Sequence, residues 1–296
     1  MDFVNLPFGE CNVIFSGDYC DTPEIRELKI PDGVVEIAEN AFRGFHSLER
    51  VKIPGSVKKI GPSAFADCPR LCHAELSEGL IEISDEAFSS CPSLTDIAIP
   101  HSVRTIGEGA FEACASLTSV RLGERLMSIG ESAFAYCFNL EGITIPDSVG
   151  EVGFGAFSSC FSLEWVKLSN NITCIPESMF EGCRSLKEVD LPTKLVKISA
   201  RAFKGCSTLA TIILPVGTKA LGYDAFADCR LLKGIALPKE LTEGLDGDVF
   251  SGCDTLTDIS FGGDKDTFEK LLCGKVICIQ RSDLTSFVPR VSFMNL

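Results

Sequence analysis

With 296 residues the chain is long enough for two globular domains, and its 41 acidic against 27 basic side chains leave a formal charge of -14. A field of that sign repels phosphate backbones and anionic lipid, which disfavours nucleic acid as a partner. No apolar run is long enough to insert into a membrane, and Met1-Asp2-Phe3-Val4-Asn5 lacks the basic start and apolar stretch of a signal peptide. The chain as written is therefore expected in the cytoplasm, or secreted or at the cell surface if a leader has been removed.

Residues 1–24 stand outside the pattern that fills the rest and carry one apolar piece, Val13-Ile14-Phe15, before Gly17-Asp18. They are expected to form an N-terminal cap, because a repeat array exposes an open apolar core at each end. At Ile25-Arg26-Glu27-Leu28-Lys29-Ile30-Pro31 apolar and charged residues alternate as in a half-buried strand. The phrase returns from Leu48, Leu71, Leu94, Leu117, Leu140, Leu163, Leu186, Leu209, Leu232 and Leu256. The proline that closes many copies lacks a backbone donor, so each strand ends there. Strands that all run the same way make a parallel sheet, with the rest of each unit as the return path.

That return path carries a second apolar pair, such as Val57 and Ile60 or Val103 and Ile106, followed by glycine at 61, 107, 130, 153 and 222. Acidic residues such as Glu108, Glu131 and Glu177 come next, then an Ala-Phe pair. The segment reads as one short helical or 3₁₀ turn, with carboxylates meeting its free N–H groups. The phenylalanines are Phe42, Phe65, Phe88, Phe111, Phe134, Phe157, Phe180, Phe203, Phe226 and Phe250; eight of their nine intervals are 23 residues and the last is 24. The extra residue falls among Thr242, Glu243 and Gly244, a bulge on the return path. A strict period in the range of about 20–50 residues marks a solenoid, in which each unit buries its apolar face only against its neighbours. Residues 25–261 are thus expected to form a solenoid of about ten repeats, and the chain one structural domain.

After Phe261 the pattern stops. Gly262-Gly263-Asp264-Lys265-Asp266 reads as a turn, Thr267 to Leu272 as a short amphipathic helix, and 276–279 with 286–294 as two last strands. Residues 262–296 are the expected C-terminal cap. Nothing in the chain has the composition of a flexible linker.

Nine of the fifteen cysteines, at 68, 91, 114, 137, 160, 183, 206, 229 and 253, follow the repeat phenylalanine by three positions. A column in a solenoid points one way, so these read as buried thiols acting as small hydrophobes. Of the remaining six, Cys11 with Cys20 and Cys273 with Cys278 are close enough in sequence to pair, while Cys72 and Cys174 stand alone. None of the fifteen forms the CxxC spacing of a zinc site.

The unit Leu-x-x-Ile-x-Ile-Pro-x-x-Val-x-x-Ile-Gly-x-x-Ala-Phe-x-x-Cys-x-x-Leu, best seen from Leu94 to Leu117, resembles the BspA-like class of leucine-rich repeats over residues 25–261. The resemblance implies a curved, parallel-sheet solenoid with the Leu-x-x-Ile-x-Ile strands on its concave face. It also implies kinship with surface proteins that adhere to host or matrix proteins.

The residues that carry chemistry elsewhere are scattered here. His46, His73 and His101 occupy three different columns, the acidic residues recur because the repeat recurs, and neither a GxSxG nor a P-loop occurs. No enzymatic activity, cofactor or metal is expected. The side chains that point outward from the strands are the candidate site, and those chosen for binding a protein are Arg50, Lys52, His73, Arg121, Trp165, Lys167, Glu188, Asp190 and Ile213. Trp165 is the only tryptophan. It either anchors a partner, as large aromatics at interfaces do, or merely covers the small Gly142 and Thr144 of the preceding strand. Partner identity and oligomeric state are left open by the sequence.

Overall fold

Alternation decides which side of each strand is inside. In Arg50–Ile53, Val51 and Ile53 are buried while Arg50 and Lys52 point away from the core, and Asp96–Ala98, Ser119–Arg121 and Trp165–Lys167 repeat the pattern. The computed structural model describes residues 4–5, 12–14, 24–243, 245, 248–272, 279–280 and 286–293. The chain divides into two compact units, Met1–Cys160 and Phe161–Leu296. Each is a stack of coils joined by parallel strands.

In the first unit the longer strands Val4–Asn5, Glu27–Lys29, Arg50–Ile53 and His73–Leu76 pair in order, and Asp96–Ala98, Ser119–Arg121 and Gly142–Thr144 form a second run. Each repeat residue faces the one 23 positions on, as Leu28 faces Val51 and Val51 faces Ala74. The second apolar pair of the return path also makes strands. Seven two-residue strands pair in parallel from Val13–Ile14 through Glu36–Ile37, Lys59–Ile60, Glu82–Ile83, Thr105–Ile106 and Ser128–Ile129 to Glu151–Val152. The coils of this unit thus contribute to two ladders, and their phenylalanines are buried in the core.

Around each phenylalanine the expected helical turn takes the form of successive turns with hydrogen bonds of the 3₁₀ kind at alternate residues. Ala41 donates to Ala38 and Arg43 to Asn40, while Asn40, Phe42 and Gly44 donate to Pro62, Ala64 and Ala66 of the next coil. A continuous helix would spend all these donors internally. Sending half of them to the neighbour requires left-handed backbone on either side of the phenylalanine, as at Asn40 (φ 55°) and Gly44 (φ 73°), or Tyr136 (φ 61°). A left-handed non-glycine residue costs roughly 1–2 kcal/mol, and each inter-coil bond returns about as much. Acidic side chains cap across coils too: Asp85 Oδ1 accepts the N–H of Glu108 at 2.9 Å. The glycine column marks where coils touch backbone to backbone, since a Cβ on Gly130 would lie 2.4 Å from the carbonyl carbon of Gly107.

The phenylalanine rings form a stack. From Phe42 to Phe157 successive centroids lie between 5.1 and 5.5 Å apart, with the planes 2° to 12° from parallel. In the second unit Phe180, Phe203 and Phe226 continue at 5.5 and 5.4 Å, and Phe226 to Phe250, across the 24-residue interval, widens to 6.0 Å. Leu241 and Leu245, which flank the inserted residue, are both buried, so the bulge leaves the core closed.

The cysteine column explains why this site is a thiol and not an alanine. At Cys68, Cys91, Cys114, Cys137, Cys160, Cys206, Cys229 and Cys253 the Sγ–H reaches the carbonyl of the phenylalanine one coil earlier, Cys68 to Phe42 at 3.3 Å and Cys114 to Phe88 at 3.2 Å, and a buried carbonyl gains a donor. The nine column cysteines are buried and free, Cys72 is half-buried and Cys174 exposed. Among the described cysteines a thiol reagent is therefore expected to modify Cys174 first and the column only after unfolding, which mass counting of labels will show. Early labelling of the column, or disulfides within it, would remove its place in the core. Cys11, Cys20, Cys273 and Cys278 lie outside the described residues.

Burial pushes the thiols of Cys114 and Cys253 up to about 12 and those of Cys137, Cys206 and Cys229 well above their ordinary value; at Cys91 the Cys68 thiol acts first and burial second. The fold keeps these protons while the unfolded chain releases them above the ordinary value of 9.0. Stability is unaffected below that pH and falls as pH rises toward 12, by about 1.4 kcal/mol per pH unit for each such thiol. Denaturant midpoints at about pH 8 and about pH 10.5 should differ sharply; equal midpoints would contradict protonated burial.

At the N-terminal end Val4–Asn5 and Val13–Ile14 each add one strand to a ladder, while Phe15 and Gly17-Asp18 are outside the described residues. At the other end the helix spans Lys265–Leu271, starting before Thr267 because Asp264 caps it by accepting the Thr267 N–H at 2.7 Å. Its Phe268 packs on Phe261 and Phe293 at 5.3 and 5.8 Å. The expected 286–294 strand is split: Ser286–Phe287 pairs antiparallel with Ile279–Gln280, and Arg290–Phe293 adds a parallel strand to Asp258–Phe261. Residues 276–278 and Met294 are outside the described set.

Candidate binding face

Side chains that leave the longer strands outward have nothing of the core to hold them, so the parallel ladder alone sets their spacing. In the first unit Arg50 stands opposite His73, and Lys52 opposite Glu75, with which it forms an ion pair. Of the two candidate cations Arg50 and Lys52, the second is thereby neutralised. Arg121 is exposed and faces Ala98. His101 Nδ1 accepts the Glu124 N–H at 3.2 Å, so that histidine is a cap between coils.

In the second unit Trp165 stands opposite Glu188 and Lys167 opposite Asp190, all four exposed on adjacent strands. Trp165 keeps 45% of its surface open although it sits on a regular strand. Behind it Val166 is buried, which fixes the backbone from which the indole projects. Lys187, on the flank, is held by Glu164 at 2.9 Å.

Ile213 is the most exposed large apolar residue of the described chain, at 85%. It does not join the Trp165 and Glu188 ladder. Glu188–Asp190 ends one sheet, and the next, built on Gly234–Leu237, Asp258–Phe261 and Arg290–Phe293, takes in Ile213 only through a single bridge to Ala236. A groove of about 550 Å³ opens in the gap, lined by residues of 187–193 and 211–215.

Sequence reasoning picked the rim of this groove, Glu188, Asp190 and Ile213, but missed its walls, Val189, Leu191, Thr193 and Pro215. Two signals were present. Ile213 occupies a position that is polar or small in neighbouring coils, and Thr218 replaces the apolar residue found at Val57, Val103, Val149 and Leu195. Thr218 is fully buried and its Oγ1 has no hydrogen-bond partner.

Among the described residues, no group of histidine, cysteine and carboxylate side chains is arranged to hold a metal ion, and no helix is long and apolar enough to cross a membrane.

Comparison with known proteins identifies the repeat. The family model described as BspA type leucine rich repeat region matches in six copies, over 12–141, 81–200, 127–257 and 175–280. No curated protein matches the chain. Among solved structures, a leucine-rich repeat protein from Bacteroides ovatus ATCC 8483 is 23% identical, covers 96% of this chain and 87% of its own, and superposes with a TM-score of 0.61, a likeness of fold. A leucine rich cell surface protein from Faecalibacterium prausnitzii A2-165 is 27% identical over 88% of this chain and 85% of its own, with a TM-score of 0.48. The T. pallidum leucine rich repeat protein is 35% identical over 62% of this chain and 77% of its own, with a TM-score of 0.47.

Proposed function

The chain belongs to the BspA-type leucine-rich repeat family, and from that membership we propose that it is a non-enzymatic scaffold that binds a protein partner on the outward side chains of its longer strands. The observation that carries this reading is Trp165, an aromatic left 45% exposed on a rigid strand and flanked by Lys167, Glu188 and Asp190. Aromatic anchors amid polar neighbours are what concentrated binding energy is made of. A partner meeting them encounters side-chain directions already set by parallel strands, so little ordering cost remains.

Two kinds of group that carry chemistry elsewhere have structural work in this fold. Thiols such as Cys114 and Cys229 donate to phenylalanine carbonyls, and burial raises their pKa, the opposite of an activated nucleophile. His101 caps a neighbouring coil. The test is capture of a partner by the wild-type chain, followed by its loss from a Trp165→Ala variant that still folds.

A further inference from the structure

The gap beside Ile213 is local. On the return path of the same coils the short strands pair without interruption, Lys197 with Ala220 and Ile198 with Leu221, and the rings of Phe180, Phe203 and Phe226 stay stacked at 5.5 and 5.4 Å. The coils are held together at the back, and at the head of the strand phrase by Thr208 Oγ1, which donates to Leu186 O at 3.0 Å, but the strand phrases beyond that point are unpaired with each other. Among the described residues no ladder bond joins Glu188–Asp190 to Thr211–Ile213. Lys187 donates its N–H to Glu164 of the preceding coil and Lys233 donates to Ala210, but Ala210 and Thr211 give no such bond to Lys187.

An unpaired strand edge offers a row of donors and acceptors to another extended chain. Here it lies in a groove of about 550 Å³, within the roughly 300–1,000 Å³ typical of ligand sites. The walls alternate: Val189, Leu191, Ile212 and Pro215 are apolar, and Thr193 and Thr211 carry hydroxyls. Charge at the groove is one-sided. Glu188 and Asp190 are exposed and in no ion pair, whereas Lys187, the one cation of the lining, is already bound to Glu164. Lys167 stands beside Asp190 on the far strand, away from the opening.

We propose that this groove receives an extended, basic peptide segment of the protein partner, whose backbone pairs with the open edges of Glu188–Asp190 and Thr211–Ile213 while its cationic side chains meet Glu188 and Asp190. Strand addition of this kind takes affinity from main-chain hydrogen bonds and selectivity from alternate side chains. An apolar residue of the segment rests against Ile213, which would explain why that position is isoleucine. The proposal rests on the strand-face reading given above and adds the class of segment bound.

The test uses the whole chain and a short acetylated peptide of alternating lysine and valine as the probe, with Trp165 emission as the signal, since that ring is one strand from Glu188. The lysine peptide should give a saturable change, its glutamate counterpart none. A Glu188→Lys/Asp190→Lys double variant should weaken binding by at least about tenfold, and added salt should weaken binding to the wild type. In the wild type, amide exchange should slow at 188–191 and 210–213 when the probe is bound. Equal binding of the acidic peptide, no saturable binding of either, or protection confined to other residues overturns the proposal. A natural partner that Trp165→Ala releases but the double variant retains also overturns it, while leaving the strand-face reading standing. A partner indifferent to both changes defeats that reading itself.

Discussion

Phe134→Ala should lower the free energy of unfolding by about 3–5 kcal/mol, whereas Thr144→Ala, at an exposed outward position of its strand, should change it by no more than about 0.5 kcal/mol. The ring of Phe134 is fully buried between Phe111 at 5.2 Å and Phe157 at 5.5 Å, with planes 5° and 2° from parallel. Removing it opens a cavity against two coils at once. The backbone there has little freedom to collapse into the space, because Phe134 donates to Ala156 and Ala135 to Ser132. In a stack held only by nearest-neighbour contacts, a loss in the middle weakens both adjoining interfaces. Denaturant midpoints and slopes for the two variants decide the matter. Similar midpoints would mean that the inward and outward faces have been assigned the wrong way round.

Much of this fold was legible because a repeat writes the same instruction many times. The spacing of the phenylalanines gave the coil length, alternation gave the inner face of each strand, and the column of cysteines gave their burial before any coordinates. What the pattern concealed is how backbone groups are shared. Two-residue strands such as Lys59–Ile60 are too short for alternation to declare them, and they exist because the neighbouring coils pair with them. Left-handed residues around the phenylalanine are equally hidden, since Asn40, Ser63, Glu86 and Arg201 share a conformation but no side-chain chemistry. The candidate face was legible only in part. Outward positions follow from alternation, but the break between Asp190 and Thr211 depends on which ladder bonds fail to form. Its sequence traces are the exposed Ile213 and the buried Thr218, each a single departure from a column.

Truncating Trp165 to alanine should cost 2 kcal/mol or more in partner binding, at least about 30-fold in affinity. Stability should move by less than about 1 kcal/mol, because the ring is 45% exposed and the strand is anchored by Val166 behind it. The asymmetry between the two effects is what separates an anchor from a packing residue. An indole that merely covered its small neighbours would show the reverse, a loss of stability with binding intact. Neighbouring charges should act differently. Substituting Lys167, exposed beside Asp190, should alter mainly the association rate and its salt dependence. Glu108→Ala supplies the control, since Glu108 is exposed on the return path and its backbone N–H, not its side chain, is what Asp85 holds. Binding measured by titration calorimetry for these variants, beside their denaturant midpoints, gives both axes. Loss of binding in Glu108→Ala with retention in Trp165→Ala would move the partner surface from the strands to the turns.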